Sequence, residues 1–277
     1  RISRFENQHP ISNGMSYNSY LLLDEKTVLF DTADKAVGEL FIENLRAALN
    51  GRDLDYMIIQ HMEPDHCALI PRVLDLYPGV KVVGSQKTFC MIQQFFGLDL
   101  AERALVMKEG DSFQTGVHRL RFLMAPMVHW PEVMVTYDET AKWLFSADAF
   151  GAFGAINGSL YADEYNVDFD LLPEARRYYT NIVGKYGRQV LALLEKAANL
   201  DIAMILPLHG PILRQDMAYY IEKYSKWASY TPEERGVVIA YGSIYGNTEK
   251  ASELLAAMLA ERGERNLRVY DVSVFQV

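Results

Sequence analysis

Apolar and polar positions follow two different periods along the first 230 residues, and the changes of period divide the chain into strands and helices. Residues 56–59 (Tyr-Met-Ile-Ile) form an unbroken apolar run of strand length, the pattern of a strand covered on both faces. Leu40, Ile42, Leu45 and Leu49 recur at helical spacing, which predicts a helix over 36–50. Residues 15–23 and 27–31 read as paired strands, and a helix is expected over 67–77, entered through a turn at His66. Strands near 81–84, 105–108 and 118–124 enclose a further helix over 86–96. Strands near 133–137 and 143–146 follow, and helices dominate 172–200, where the Tyr and Phe residues read mostly as core. No repeat of fixed period and no low-complexity run interrupts this alternation.

The pattern changes at 229–235. Thr231-Pro232-Glu233-Glu234 is a polar break, so 1–230 is expected to be one domain, 231–236 a linker and 237–277 a second unit. Residues 237–241 (Val-Val-Ile-Ala-Tyr) are an apolar strand of parallel-sheet type. A loop from Gly242 to Thr248 leads into a helix over 249–261, and a second apolar strand covers 267–272. That is one β-α-β unit.

Chemistry is concentrated at strand ends. Directly after the run at 56–59 come His61, Glu63, Asp65 and His66, four metal-capable side chains within six positions. In an extended segment, positions 61, 63 and 65 point to one side, and Pro64 pushes Glu63 toward the extended region. A polar loop with Asp65 capping a helix would use the same residues without a metal. Three more metal-type residues lie on loops after apolar runs: His129, Asp148 and His209. Each alone reads as a satisfied structural residue, whereas the seven together form a ligand set.

The set resembles the metallo-β-lactamase fold, whose metal motif reads His-x-His-x-Asp-His with later His, Asp and His. Here Glu63 stands at the second histidine, and His-x-Glu-x-Asp-His is similar to the flavodiiron proteins. The resemblance covers about residues 15 to 230. It implies an α/β fold, a metallo-β-lactamase-like αββα sandwich followed by a partial flavodoxin-like parallel unit. It implies that His61, Glu63 and His129 hold one iron, that Asp65, His66 and His209 hold the second, and that Asp148 bridges them. His66 is the ligand this resemblance supports least, since the position is not always metal-bound in the family. Trp130, Phe150 and Phe153 either shield the pocket or pack in the core. Two ferrous ions carry four positive charges; Glu63, Asp65 and Asp148 bring three negative ones, and a bridging hydroxide would neutralise the site. A histidine at 63 would leave one more positive charge and favour hydrolysis. The anionic oxygen ligand favours a higher iron oxidation state and so redox chemistry. The rival reading is a dinuclear zinc hydrolase of the same fold; a gas sensor without turnover is a third.

The loop at 242–248 is suited to a phosphate. Gly242 and Gly246 permit a tight turn, Ser243, Asn247 and Thr248 bring polar side chains, and the helix start adds N–H groups and a favourable dipole. No lysine precedes Thr248, so it is not a Walker A loop. Ser243, Ile244, Tyr245, Gly246, Asn247 and Thr248 resemble the flavodoxin phosphate loop, which implies flavin mononucleotide (FMN). Only 41 residues, 237–277, follow Gly236, fewer than a five-stranded flavodoxin-like sheet needs. The flavin-ring contacts of the family therefore have no counterpart to be carried over. The resemblance further implies reduction of dioxygen to water or nitric oxide to nitrous oxide, with electrons delivered through FMN. It also implies rubredoxin or a rubredoxin/flavin reductase as donor, and a head-to-tail homodimer.

Composition narrows the class. With 277 residues, half of them hydrophobic, the chain can bury a large core in one or two domains. A net charge of −9 and the lack of a basic patch argue against nucleic acid as a partner. Two cysteines, Cys67 and Cys90, make no disulfide framework. Neither a membrane-length apolar run nor a signal peptide is visible, so a cytoplasmic location is expected. The chain opens on Arg1 rather than methionine, which leaves an upstream segment open.

Overall fold

Strands that are apolar on both faces must be covered on both faces, and the chain does this with two sheets and two layers of helices. The computed structural model describes residues 4–5 and 8–274; the outermost ends of the expected 1–230 and 237–277 domains lie outside the described residues. A short antiparallel pair, β1 (Arg4–Phe5) and β2 (His9–Pro10), comes first. The first sheet then holds β3 (Tyr20–Leu23), β4 (Thr27–Phe30), β5 (Tyr56–Ile58), β6 (Lys81–Gly84) and β7 (Ala104–Val106), side by side in that order. β3 and β4 are antiparallel, and the rest are parallel. Parallel neighbours need crossovers, supplied by α1 (Gly38–Leu49), by α2 (Pro64–Cys67) with α3 (Ile70–Leu76), and by α4 (Gln86–Phe96).

The second sheet runs in the order β12 (Met204–Leu206), β11 (Trp143–Phe145), β10 (Met134–Asp138), β9 (Arg119–Met124) and β8 (Ser112–Gln114). It is antiparallel except between β11 and β12. α5 (Leu172–Tyr178), α6 (Gly187–Ala197) and α7 (Met217–Ala228) cover its outer face. The period of two assigns each strand residue to a layer. Val28, Phe30 and Ile58 meet Phe122, Met134 and Phe145 between the sheets. Leu29, Met57 and Ile59 face the first helical layer, and Val135 and Tyr137 face the second. Phe30 and Phe145 stack across the centre with ring centroids 3.8 Å apart. The result is the αββα sandwich expected from the sequence.

Three local expectations need correction. Residues 15–19 are irregular, not strand. Their polar groups bind a distant loop instead: the Asn18 amide donates to the carbonyls of Pro207 and Gly210. The helix expected from 67 begins at Pro64, breaks, and resumes as α3. Pro64 fits the first helical turn because the missing N–H has no intrahelical partner there. α7 and β8 were not anticipated. α7 buries Tyr220, Tyr224 and Ala228 at spacing four, residue types whose apolar period is weak; β8 has three residues, too few to show a period.

Residues 231–274 pack as a separate unit. β13 (Val237–Tyr241) and β14 (Leu267–Asp271) pair in parallel, and α8 (Asn247–Glu261) joins them. α8 starts two residues earlier than expected, with Gly246 in the left-handed region (φ +80°) before it. Asn247 and Thr248 thus lie in its first turn. No described helix is long and apolar enough to cross a membrane.

Candidate metal centre

The loops that leave β5, β9, β11 and β12 meet at one end of the sandwich and carry all seven expected side chains. Glu63 is extended (φ −65°, ψ 142°), and the helix begins with the next residue. The alternation anticipated for 61, 63 and 65 therefore stops at Pro64, and Asp65 and His66 lie on the first turn of α2. That change of conformation divides the motif. His61 and Glu63 join His129 and Asp148, whereas Asp65 and His66 join His209, and within each group the donor atoms lie within 4.8 Å of one another.

In the first group His129 Nε2 lies 2.9 Å from Glu63 Oε2 and 3.0 Å from Asp148 Oδ2. His61 Nε2 is 3.2 Å from both Glu63 Oε2 and His129 Nε2. In the second, His66 Nε2 and His209 Nε2 are 3.0 Å apart, at 3.4 Å and 3.3 Å from Asp65 Oδ2. Asp148 belongs to both: Oδ2 faces the first group, and Oδ1 lies 3.2 Å from His66 Nε2. Ala147, just before it, has φ +51°, which turns the chain off β11. His61, His66, Asp148 and His209 are fully buried; Glu63, Asp65 and His129 keep slight exposure and mark the open side.

Such a set cannot be satisfied by hydrogen bonds alone. Imidazole nitrogens face one another, and neither Asp65 oxygen nor Asp148 Oδ1 accepts a hydrogen bond. Buried polar atoms without partners are costly. With metal–ligand bonds of about 2.1 Å, neighbouring ligands stand about 3.0–3.4 Å apart in octahedral or tetrahedral coordination. The separations within these groups, 2.9–3.4 Å, lie close to that range, so the residues fit a dinuclear metal site. Electrostatics agree. Burial works against the Asp148 carboxylate, but His61, His66 and His129 outweigh it and hold its pKa well below the ordinary value. Burial likewise disfavours the His61 imidazolium, but Asp148, Glu132 and Glu63 raise its pKa well above 6.5.

Three supporting residues were not anticipated. Glu132 Oε1 accepts from His61 Nδ1 (2.8 Å) and from the Met62 N–H (2.7 Å). Asp31, at the end of β4 with φ +53°, accepts from the backbone N–H groups of Gln60 and His61; burial pushes its pKa up to about 6. Tyr178 is buried with its ring 5.4 Å from His209, and its hydroxyl has no hydrogen-bond partner. Burial, then Asp148, Glu63 and Asp65, raise its pKa well above 10, so it keeps its proton. Sequence offers little signal for these, because each acts through a contact between distant segments. Among the expected shielding aromatics, Trp130 packs edge-on against His61 and His129. Phe153 packs on Tyr178, and Phe150 stacks on Tyr224 in the helical layer. His118, at the opposite end of β9, is held by Asp138. Cys67 is buried and its thiol pushed up to about 12 by burial, which leaves it unreactive.

The proposed phosphate-loop residues are gathered in the second unit. Ser243 to Gly246 connect β13 to α8, and Ile244 and Tyr245 are almost fully exposed.

Residues 15–210 match the sequence profile of the "ODP family beta lactamase". The chain is 32% identical to diflavin flavoprotein A 1 of Synechocystis over 94% of its own length and 45% of that protein. It is 33% identical to a nitric oxide reductase of Moorella thermoacetica, over 90% of this chain and 62% of the relative. The solved rubredoxin oxygen:oxidoreductase of Desulfovibrio gigas superposes with a TM-score of 0.90 at 30% identity, covering 97% of this chain and 67% of that one. The chain thus spans about half the length of the diflavin flavoproteins it matches.

Proposed function

The chain belongs to the flavodiiron protein family, and from that premise we propose that its seven-residue centre holds two irons and reduces dioxygen to water or nitric oxide to nitrous oxide. In this reading His61, Glu63 and His129 would hold one iron, Asp65, His66 and His209 would hold the other, and Asp148 would serve both. The observation that carries it is the division of the two Asp148 oxygens between two groups of donors. When bound, the iron pair supplies the binding positions and the redox change.

The residues of the chain do the rest. Each imidazole presents Nε2 to the centre, and His61 and His209 are fixed through Nδ1 by Glu132 and by the Ser16 carbonyl. Glu63 and Asp65 face the open side, where a diatomic gas enters. Trp130 and Phe153 keep the surroundings apolar. Tyr178 keeps its proton, its pKa raised by burial and by Asp148, Glu63 and Asp65, so its hydroxyl would be available to donate to a bound substrate. Both reductions consume protons: dioxygen takes four electrons and four protons to give two waters, and two nitric oxides take two of each to give nitrous oxide and water.

The electron path in this proposal runs through FMN, its phosphate held by Ser243, Ile244, Tyr245, Gly246, Asn247 and Thr248. A rubredoxin or a rubredoxin/flavin reductase is the proposed donor, the assembly a head-to-tail homodimer and the location cytoplasmic. The names of the Moorella and Desulfovibrio relatives support the two substrates and the rubredoxin donor. The test is turnover of iron-loaded protein with reduced FMN or rubredoxin, in sealed anaerobic samples to which dioxygen or nitric oxide is added in known amount. Consumption of either gas that disappears in Asp148→Ala supports the proposal. Hydrolysis of a thioester or lactam by zinc-loaded protein, without gas consumption by the iron-loaded form, contradicts it.

A further inference from the structure

We propose that Glu132 makes the two metal positions unequal by placing a carboxylate on the His61 imidazole, a hydrogen bond that neither imidazole of the second group receives; this rests on the dinuclear reading. Glu132 follows Pro131 in the loop before β10 and is almost wholly buried. Its place is fixed from the main chain. The Ser85 hydroxyl, which also caps α4, donates to the Glu132 carbonyl at 2.9 Å. The side chain then reaches the loop after β5, where Oε1 takes both the His61 Nδ1–H and the Met62 N–H. Oε2 accepts no hydrogen bond, so every hydrogen bond of the Glu132 carboxylate goes to the 61–62 segment.

The consequences are chemical. A carboxylate on Nδ1 fixes the tautomer that leaves Nε2 as the donor atom and makes it a stronger base. The second group has no such support among the described residues. His209 Nδ1 is bonded to the neutral Ser16 carbonyl, and His66 Nδ1 has no partner. Asp31, the other buried carboxylate nearby, bonds to Gln60 and to the His61 backbone rather than to an imidazole. The position formed by His61, Glu63 and His129 therefore has the more electron-rich donors. It fills first with a divalent ion and stabilises the higher oxidation state when the pair is oxidised.

Glu132→Gln separates charge from position, because a glutamine oxygen can still accept both hydrogen bonds. Metal-free protein is titrated anaerobically with cobalt(II), followed by visible absorption and calorimetry. The parent should take up two equivalents, the tighter one abolished by His61→Ala. In Glu132→Gln that same equivalent should weaken about 10–100-fold, with the other within about twofold. Glu132→Ala should weaken it at least as far and lower the melting temperature. Parent affinities at both positions in Glu132→Gln would overturn the inference and leave Glu132 a loop anchor; equal weakening of both would overturn it too. A parent that binds fewer than two equivalents removes the dinuclear reading itself, an outcome distinct from either.

Discussion

Asp148 faces both groups of donors, one with each of its oxygens, and the proposed centre therefore rests on it. Asp148→Ala should reduce metal content from about two ions per chain to less than one while the fold, read by circular dichroism, is kept. Retention of two ions would mean that it does not bridge. Glu63→His should behave differently. The parent fold accepts histidine there, so metal binding should survive, while gas reduction falls by at least about tenfold as the site loses a negative charge. Unchanged turnover would contradict the charge argument. That the seven donor side chains would gather was legible in the sequence, because metal-capable residues stood in a short motif or directly after apolar strands. Glu132 was not, since 71 positions separate it from His61 and one carboxylate after a proline carries no pattern. Tyr178 and Asp31 were hidden likewise, as one aromatic among many and as the last residue of an expected strand.

Element boundaries explain how one short motif contributes to two groups of donors. Pro64 starts α2 and ends the extended run, so His61 and Glu63 project from a strand end, whereas Asp65 and His66 project from a helical turn. The composition of the motif was plain in the sequence, but this division was not, because a four-residue helix shows no period. The Thr32 N–H and hydroxyl both donate to the His66 carbonyl and lock that turn to the end of β4. In the outer helical layer, α6 begins where α7 ends. A Cβ on Gly187 would lie 2.3 Å from the Ala228 carbonyl oxygen, a backbone atom that cannot move alone. Gly187→Ala should therefore destabilise the fold by about 1–3 kcal/mol, measured by urea denaturation; parent stability would show that the helices can separate freely. At the start of α8, in a full-length protein that carries the whole flavodoxin-like domain, Thr248→Ala should weaken FMN binding, read from flavin fluorescence, without altering metal content. Equal flavin binding in the variant would take the phosphate away from this loop.

At the scale of the molecule, the sandwich was legible as an alternation of strands and helices, because strands covered on both faces leave unbroken apolar runs. Which loops meet was not legible, since sheet order brings together segments as distant as 61 and 209. The assembled cluster also predicts a dependence on pH. Burial alone would lower the His66 pKa, but Asp65 and Asp148 push it up to about 9 in the metal-free protein. The unfolded value is about 6.5, so the stabilisation is complete below about pH 6.5 and lost as pH rises through 9. Metal binding needs the imidazoles deprotonated and strengthens over the same range. The gap in melting temperature between loaded and metal-free protein should widen from pH 6.5 to 9, as calorimetry can check; a constant gap would contradict this coupling. The most direct measurement of the centre itself is Mössbauer spectroscopy with iron quantification, on metal-free protein reconstituted anaerobically with ⁵⁷Fe(II). Two irons per chain, coupled to each other after oxidation and lost together in Asp148→Ala, are the expected result. A single uncoupled iron, or none, would contradict a diiron centre.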